Sequence, residues 1–505
     1  MARKKLVVKT SQPAPPQLSI LDELETQKYT EEQKSFVEYS GKESIILSAT
    51  AGSGKTFSCV QRLKELLRRG VEPEKIIFFS FTNDAVKELT ERIERDGIQV
   101  WDNKTKKGIR ITTIHSFCLS ILTTLGKYKD VADFYKFIEW FKEKYKPSPS
   151  ADSEVKEAFY ETIGNLYEDS NFFSSKIAAY KLQTADKIKC LAPPFIYEYN
   201  LYLKESRARD FSDMLIEVRD LFREDKWLKM FRNKYDYIFV DEYQDTSTIQ
   251  LQILLSLNAP YYYLIGDKNQ SIYGYSGANC SLLEEMLKAR RETKVMSLSV
   301  NFRSDQNIVA NSNKFSSLKA TANSKEDGFV DNKFMVTIDE LIEILQTPEQ
   351  VAVLVRTNDI IKKLELILLR KKIPMRYFNF ITDKDIKNFH KGEINGLLKN
   401  KFLKLKNYFA SEHEIIHFIE MHKKSNKFIT TIHKSKGREF ETCVVVNSVS
   451  MEILQTNPSW TRLTKKQLEA ITFDPDDEVD VEPKNIHYVA VSRSKHKLYF
   501  MVFGC

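Results

Sequence analysis

Two short stretches carry residue types whose spacing can do chemistry. The first is Ala49-Thr50-Ala51-Gly52-Ser53-Gly54-Lys55-Thr56. Gly52 and Gly54 let backbone N–H groups turn toward phosphates with no Cβ in the way. The helix expected to follow offers its N-terminus to an anion. Lys55 would place a point charge on the β- and γ-phosphates, and the Thr56 hydroxyl is a ligand for Mg²⁺. The pattern is a phosphate-binding loop in which Ala49 replaces the usual first Gly. The second stretch is Asp241-Glu242, at the end of the apolar run Tyr235–Val240. Downstream of such a loop, Asp241 is the expected metal partner. Glu242 is the expected group to orient and deprotonate an attacking water. Together they point to nucleoside triphosphate hydrolysis rather than static nucleotide binding.

Both stretches need strands to hold them, and the chain supplies short apolar, β-rich runs separated by helical stretches. The runs are Ser44–Ala49, Lys75–Phe81, Tyr235–Asp241 and Tyr261–Asp267, then Val295–Val300, Val351–Arg356, Phe428–His433, Thr442–Asn447 and Leu498–Phe503. Apolar runs of this length between helices read as buried parallel strands, and there are enough for two α/β sheets. A block over residues 119–205, rich in Phe, Tyr, Lys and Glu, has aromatics at three-to-four spacing. It reads as amphipathic helices inserted in the first α/β domain, with its aromatics forming core. Residues 1–28, with Pro13, Pro15 and Pro16 among Ser, Gln and Lys, read as a disordered tail.

Composition excludes several classes. The 505 residues suggest about three domains. Only 16 Gly and 14 Pro argue against a collagenous or low-complexity chain. The net charge of +8 permits a nucleic-acid partner without requiring one. Cys59, Cys118, Cys190, Cys280, Cys443 and Cys505 form no closely spaced pair, which argues against a zinc ribbon, an iron–sulfur cluster or a disulfide scaffold. Scattered thiols fit a reducing cytoplasm. No apolar run reaches the roughly 18 residues of a membrane span, and the basic start lacks the apolar stretch of a signal peptide.

An ordered series of motifs then resembles the UvrD/Rep family of superfamily 1 helicases over nearly the whole chain. Tyr29-Thr30-Glu31-Glu32-Gln33 resembles the adenine-reading Q motif. Phe81-Thr82-Asn83-Asp84-Ala85 and Thr113-Ile114-His115-Ser116-Phe117 resemble motifs Ia and Ib. Asp241-Glu242-Tyr243-Gln244-Asp245-Thr246 resembles motif II, and Gly266-Asp267-Lys268-Asn269-Gln270-Ser271-Ile272-Tyr273 motif III. Asn301-Phe302-Arg303-Ser304 resembles motif IV, Thr431–Phe440 motif V, and Tyr488-Val489-Ala490-Val491-Ser492-Arg493 motif VI.

The resemblance implies a fold of two RecA-like α/β domains with parallel sheets. The first would comprise 29–118 and 206–293 with 119–205 inserted, the second 294–380 and 428–505 with a short helical stub at 381–427. It also implies roles. Gln33 would read adenine, Phe302 would stack on it, and Phe57 would stack on its other face. Glu439 would bond the ribose and Gln270 the γ-phosphate. Arg303 and Arg493 would act as arginine fingers with Lys55 and Glu242 as ATP is hydrolysed. Phe81, His115, Tyr275, Arg356, His433 and Lys436 would face a single strand, aromatics stacking on bases and cations meeting phosphates without reading sequence.

The resemblance is imperfect. Ser276 stands where motif III usually has Arg, Arg438 where motif V usually has Leu, and Ser492 and Ser494 where motif VI usually has Thr and Ala. The stretch 381–427 is short for the family's accessory domain, and the chain ends soon after Arg493, leaving no room for a fused nuclease. The expectation is a compact cytoplasmic motor using ATP and Mg²⁺. It would close on ATP between its two domains and move 3′ to 5′ along single-stranded DNA, opening 3′-tailed duplex DNA. The alternative is a DNA-stimulated ATPase subunit that controls a nuclease or repair partner without processive unwinding. RNA remains open as a substrate, since stacking and phosphate contacts do not depend on the 2′-hydroxyl.

Overall fold

A computed structural model of the chain describes residues 29–102, 104–168, 170–184, 194–273, 278–377, 411, 414, 417–418, 421, 424–446 and 481–503. The expected tail, most of the expected 381–427 stub, and Tyr275 and Ser276 lie outside the described residues. By contact the chain divides into two units. One is Met1–Leu47, Lys55–Ile265 and Tyr275–Ser297; the other is Ser48–Gly54, Gly266–Gly274 and Leu298–Cys505.

The first unit is built on strands β1 (Ser44–Ala49), β2 (Ile76–Ser80), β3 (Arg110–Thr113), β4 (Tyr237–Asp241), β5 (Tyr261–Gly266) and β6 (Thr293–Leu298), in the order β3-β2-β4-β5-β1-β6. β2 runs parallel to both β3 and β4, and β4 parallel to β5. Every residue of β2 is buried, as a strand covered by helices on both faces requires. Helices α1 (Glu31–Val37), α2 (Lys55–Arg68), α3 (Asn83–Arg95) and α4 (Ile114–Thr124) alternate with these strands. Then come α5 (Phe134–Tyr145), α6 (Ser153–Glu168), α7 (Ser170–Thr184), α8 (Pro194–Glu205) and α9 (Phe211–Arg223), followed by α10 (Thr248–Ser256) and α11 (Cys280–Lys288). Phe117, Leu122, Met214, Val218 and Leu254 pack with Ile77 and Ile238 of the sheet in the main core.

Helices α5 to α8 close on a separate core of Phe137, Ile138, Ile163, Leu166, Ile177, Tyr199 and Tyr202. Its aromatics lock edge to face, with Phe137 and Tyr199 5.1 Å apart at 85°. A buried ion triad joins this block to α9: Lys181 Nζ lies 2.8 Å from Asp210 and 2.9 Å from Asp213. Asp210 and Asp213 are the N-cap and third residue of α9, closing a capping box there.

The second unit contains α12 (Gln306–Ser312), β7 (Phe329–Val336), α13 (Ile338–Gln346), β8 (Val351–Val355), α14 (Asn358–Arg370) and β9 (Arg376–Tyr377). After β10 (Lys427–Thr431) and β11 (Phe440–Val446) it ends with α15 (Val481–Val491) and β12 (Ser494–Phe503). The sheet order is β7-β12-β11-β8-β10-β9, and all five pairings are parallel. β8 sits mid-sheet with all five residues buried. Each expected apolar run falls on a strand, but β3, β7 and β9 lack such a run. β3 lies at a sheet edge and reads Arg-Ile-Thr-Thr, since an edge strand is not covered on both sides and needs no continuous apolar run. Among the described residues, no helix is long and apolar enough to cross a membrane.

Candidate functional site

The loop after β1 turns on two left-handed glycines, Gly52 at φ 72° and Gly54 at φ 77°. At Gly52 the chain is doubly restricted, because a Cβ there would lie 2.7 Å from Arg303 Cβ and 2.9 Å from Asn301 Oδ1. The loop backbone is held from several sides within the second unit. Thr50 N–H donates to Leu298 O at 3.0 Å and Phe302 N–H to Gly52 O at 2.8 Å. Asn301 Nδ2 donates to Ala51 O at 2.8 Å, and Ala51 N–H donates to the Tyr488 hydroxyl at 3.2 Å. Ser53 Oγ closes the turn by donating to Thr50 O at 2.8 Å. Ala49, Thr50, Ala51 and Ser53 are buried, so the loop is a fixed cradle rather than a surface strap.

Lys55 and Thr56 open α2 in the first unit. Lys55 Nζ lies 3.2 Å from Glu242 Oε1. Glu242 follows β4 in the left-handed region, φ 52° and ψ 41°, a costly conformation for a non-glycine residue and one that gathers at functional sites. Gln244 Nε2 donates to its other carboxylate oxygen. Asp241 accepts the Glu242 N–H at 3.0 Å. Burial first, and then the Asp241 charge, drive the Cys59 thiol of α2 well above its usual range. Among the described residues no group of three or more His, Cys, Asp or Glu forms a closed metal cage. A hydroxyl and a single carboxylate, with phosphates and water completing the shell, are what Mg²⁺ takes at nucleotide sites, so Thr56 and Asp241 fit that ion.

Gln33 sits on α1, buried, in a capping box with Thr30: its N–H donates to Thr30 Oγ1 at 3.2 Å and its Oε1 accepts from Thr30 N–H at 3.1 Å. Helix α1 is docked on α2. Arg62 donates to Val37 O, Tyr39 O and the Tyr263 hydroxyl at 2.7–2.8 Å. Tyr29 packs on Phe57 with ring centroids 6.0 Å apart, and its hydroxyl donates to Gln61. Tyr29 and Phe57 thus meet beside the opening of α2. Phe302, in the second unit, presents its ring half exposed next to the loop carbonyl it grips.

The second unit links the remaining expected groups in pairs. Arg493 is almost wholly buried and donates to Gln270 Oε1 at 3.1 Å, to Val489 O at 2.9 Å and to Arg438 O at 3.2 Å. Gln270 donates in turn to Asp267 Oδ2 at 2.9 Å, and its carbonyl accepts Lys436 Nζ at 2.6 Å. Arg303 Nε donates to Glu439 Oε2 at 2.8 Å. The two arginines are therefore each held by another residue singled out in the sequence.

Of the residues expected to face nucleic acid, Phe81, His115, Arg356 and His433 lie just past the carboxyl ends of neighbouring parallel strands. Ser80 of β2 is in register with Thr113 of β3, which sets Phe81, 41% exposed, near His115. Val355 of β8 is in register with Thr431 of β10, which brings Arg356 to 3.3 Å from His433. Lys436 Nζ stands over the Tyr273 ring at 5.3 Å. Burial lowers His115 to about 4, and burial followed by the Arg356 charge lowers His433 to about 4, so both rings are neutral near pH 7. One residue that the sequence did not single out joins this set. Phe211, 57% exposed, meets the His115 ring edge to face at 5.3 Å. Asp210 and Asp213 mark a helix start in the sequence, but nothing there places Phe211 against His115.

The UvrD/REP helicase N-terminal domain family matches residues 29–291. A probable DNA helicase II homolog of Mycoplasma capricolum is 29% identical over 68% of this chain and 51% of its own length. A probable DNA helicase of Mycoplasma pneumoniae is 25% identical over 93% of this chain and 82% of its own. The ATP-dependent DNA helicase PcrA of Staphylococcus epidermidis is 29% identical over 65% of this chain and 48% of its own. The chain thus spans about half the length of the first and third of these relatives. With more than half of its residues inside the matched domain, this chain belongs to the UvrD/REP helicase family.

Proposed function

We propose that the chain is an ATP-driven DNA helicase that moves 3′ to 5′ along single-stranded DNA. The observation that carries this reading is the continuous contact from Arg493 through Gln270 to Lys436, with Lys436 over Tyr273 and Tyr273 against His433, their centroids 6.0 Å apart. In this reading a group that meets phosphate is joined by direct contact to groups that meet a nucleic-acid strand, as coupling hydrolysis to movement requires.

In this reading the loop N–H groups and Lys55 hold the phosphates. Thr56 and Asp241 would hold Mg²⁺, which would supply positive charge against the negative charge of the phosphates. Glu242, aimed by its left-handed backbone, takes the proton from the attacking water. Arg303 and Arg493 stabilise charge developing on the γ-phosphoryl oxygens. Tyr29, Gln33, Phe57 and Phe302 hold the adenine, and Glu439 accepts a ribose hydroxyl. Phe81 and Phe211 stack on bases, with no preference among sequences. The relatives named DNA helicases support DNA as the substrate class.

The test is ATP turnover with and without an oligodeoxythymidylate, alongside separation of a 3′-tailed duplex and its 5′-tailed counterpart. DNA-stimulated turnover with opening of the 3′-tailed duplex alone is expected, with both lost in Lys55→Ala. Opening of only the 5′-tailed duplex would refute the polarity; turnover unaffected by DNA would refute the coupling.

A further inference from the structure

Glu439 holds two cations, one on each carboxylate oxygen. Arg303 Nε is 2.8 Å from Oε2, and Lys495 Nζ is 3.2 Å from Oε1. Lys495 has its own anchor, since the same Nζ lies 3.2 Å from Glu441 Oε1. Glu441 Oε2 is 3.1 Å from His496 Nε2, and His496 Nδ1 is 2.8 Å from Asp305 Oδ2. The chain of contacts therefore runs from Glu439 back to the start of α12 and fixes the ammonium in place. Burial alone would raise the Glu439 carboxyl, but Arg303 and then Lys495 outweigh it and hold it below its ordinary value.

Arg303 meets Glu439 through Nε and the carbonyl of Ser492 through Nη1 at 3.1 Å, so a guanidinium swung round to a phosphate would give up both. The Arg303 Cβ lies beside Gly52 of the phosphate loop, and turning to a phosphate would leave Oε2 without its cation. We propose that Lys495 is a positioning residue for sugar recognition: it keeps the Glu439 carboxylate aimed at a ribose hydroxyl once Arg303 has turned to the phosphates. This rests on the reading of Glu439 as the ribose acceptor. Without Lys495, Glu439 would bind Arg303 more tightly and leave the sugar unread. Lys495 and Glu439 are both partly exposed, so their substitution leaves the core intact.

The experiment compares kcat/KM for ATP, 2′-deoxy-ATP and 3′-deoxy-ATP in the full chain with saturating oligodeoxythymidylate. A site built to bond a hydroxyl rejects the analogue lacking it, so wild type should prefer ATP over one deoxy analogue by about tenfold or more. Glu439→Gln and Lys495→Met should both bring that preference below about threefold, mainly through KM, while Lys495→Arg keeps it. If Lys495→Met keeps the wild-type preference while Glu439→Gln loses it, the role of Lys495 is overturned and the reading of Glu439 stands. A uniform fall in kcat on all three nucleotides in Lys495→Met would likewise overturn it, as a structural effect. Absence of any preference in wild type would overturn both.

Discussion

Lys55 and Glu242 are bound to each other, Nζ to Oε1 at 3.2 Å, across the opening of α2 and the end of β4. The group proposed for phosphate and the group proposed for water neutralise one another, and an arriving phosphate would compete with Glu242 for Lys55. Glu242→Gln should therefore bind ATP at least as tightly as wild type and hydrolyse it about 10²–10⁴-fold more slowly. Lys55→Ala should lose binding as well as turnover. Fluorescent-nucleotide titration beside phosphate-release kinetics separates the two. Equal loss of binding in both variants would refute the assignment of Glu242 as base.

Arg493 and Gln270 form the next linked pair. Arg493→Ala removes the donor to Gln270 Oε1 at 3.1 Å together with the cation expected at the γ-phosphate. Turnover should fall about 10³-fold with ATP affinity little changed. Gln270→Ala leaves Arg493 in the chain and keeps the backbone carbonyl that holds Lys436, but removes the side chain bonded to both Arg493 and Asp267. Basal turnover should fall less than in Arg493→Ala, while stimulation by DNA should disappear. Retention of full stimulation would remove Gln270 from the coupling path.

Phe211 tests the proposed nucleic-acid face. Its ring is exposed and edge-on to His115, and its backbone is set by the Asp210–Asp213 capping box, so Phe211→Ala leaves the helix start intact. Stacking on a base is worth about 1–3 kcal/mol, so affinity for a single strand should drop roughly tenfold or more. Basal ATP turnover should not move. Anisotropy titration of a labelled oligonucleotide reads the first, and unchanged affinity would place Phe211 off the track.

His115, His433 and His487 set a pH dependence. Burial leads in each case, and each ring is lowered from 6.5 to about 4. From pH 6.5 down to about 4 the unfolded chain therefore binds more protons than the folded one, so stability contributed by these neutral rings is intact above pH 6.5 and is lost as pH falls toward 4. His487 stacks on Phe315 with centroids 5.7 Å apart, so Phe can replace it. The fall in melting temperature from about pH 7.5 to pH 5 should be smaller in His487→Phe than in wild type. An unchanged fall would mean that His487 protonates freely in the folded chain.

The sequence by itself determined what is local. The loop Ala49–Thr56, the acid pair at the end of β4 and the central buried strands were legible because glycine geometry, strand-end position and apolar runs act over a few residues. The edge strands β3, β7 and β9 were not, since a strand paired on one side needs no continuous apolar run. Contacts between distant segments were decided only by tertiary structure. The register of Ser80 with Thr113 sets Phe81 near His115, and that of Val355 with Thr431 sets Arg356 against His433. The pairings Arg493–Gln270, Arg303–Glu439, Glu439–Lys495 and His115–Phe211 depend on which strand ends and helix faces meet. Spacing along a chain specifies residue types and their local backbone, whereas a hydrogen bond between segments more than a hundred residues apart exists only once sheet order and register have been fixed by packing.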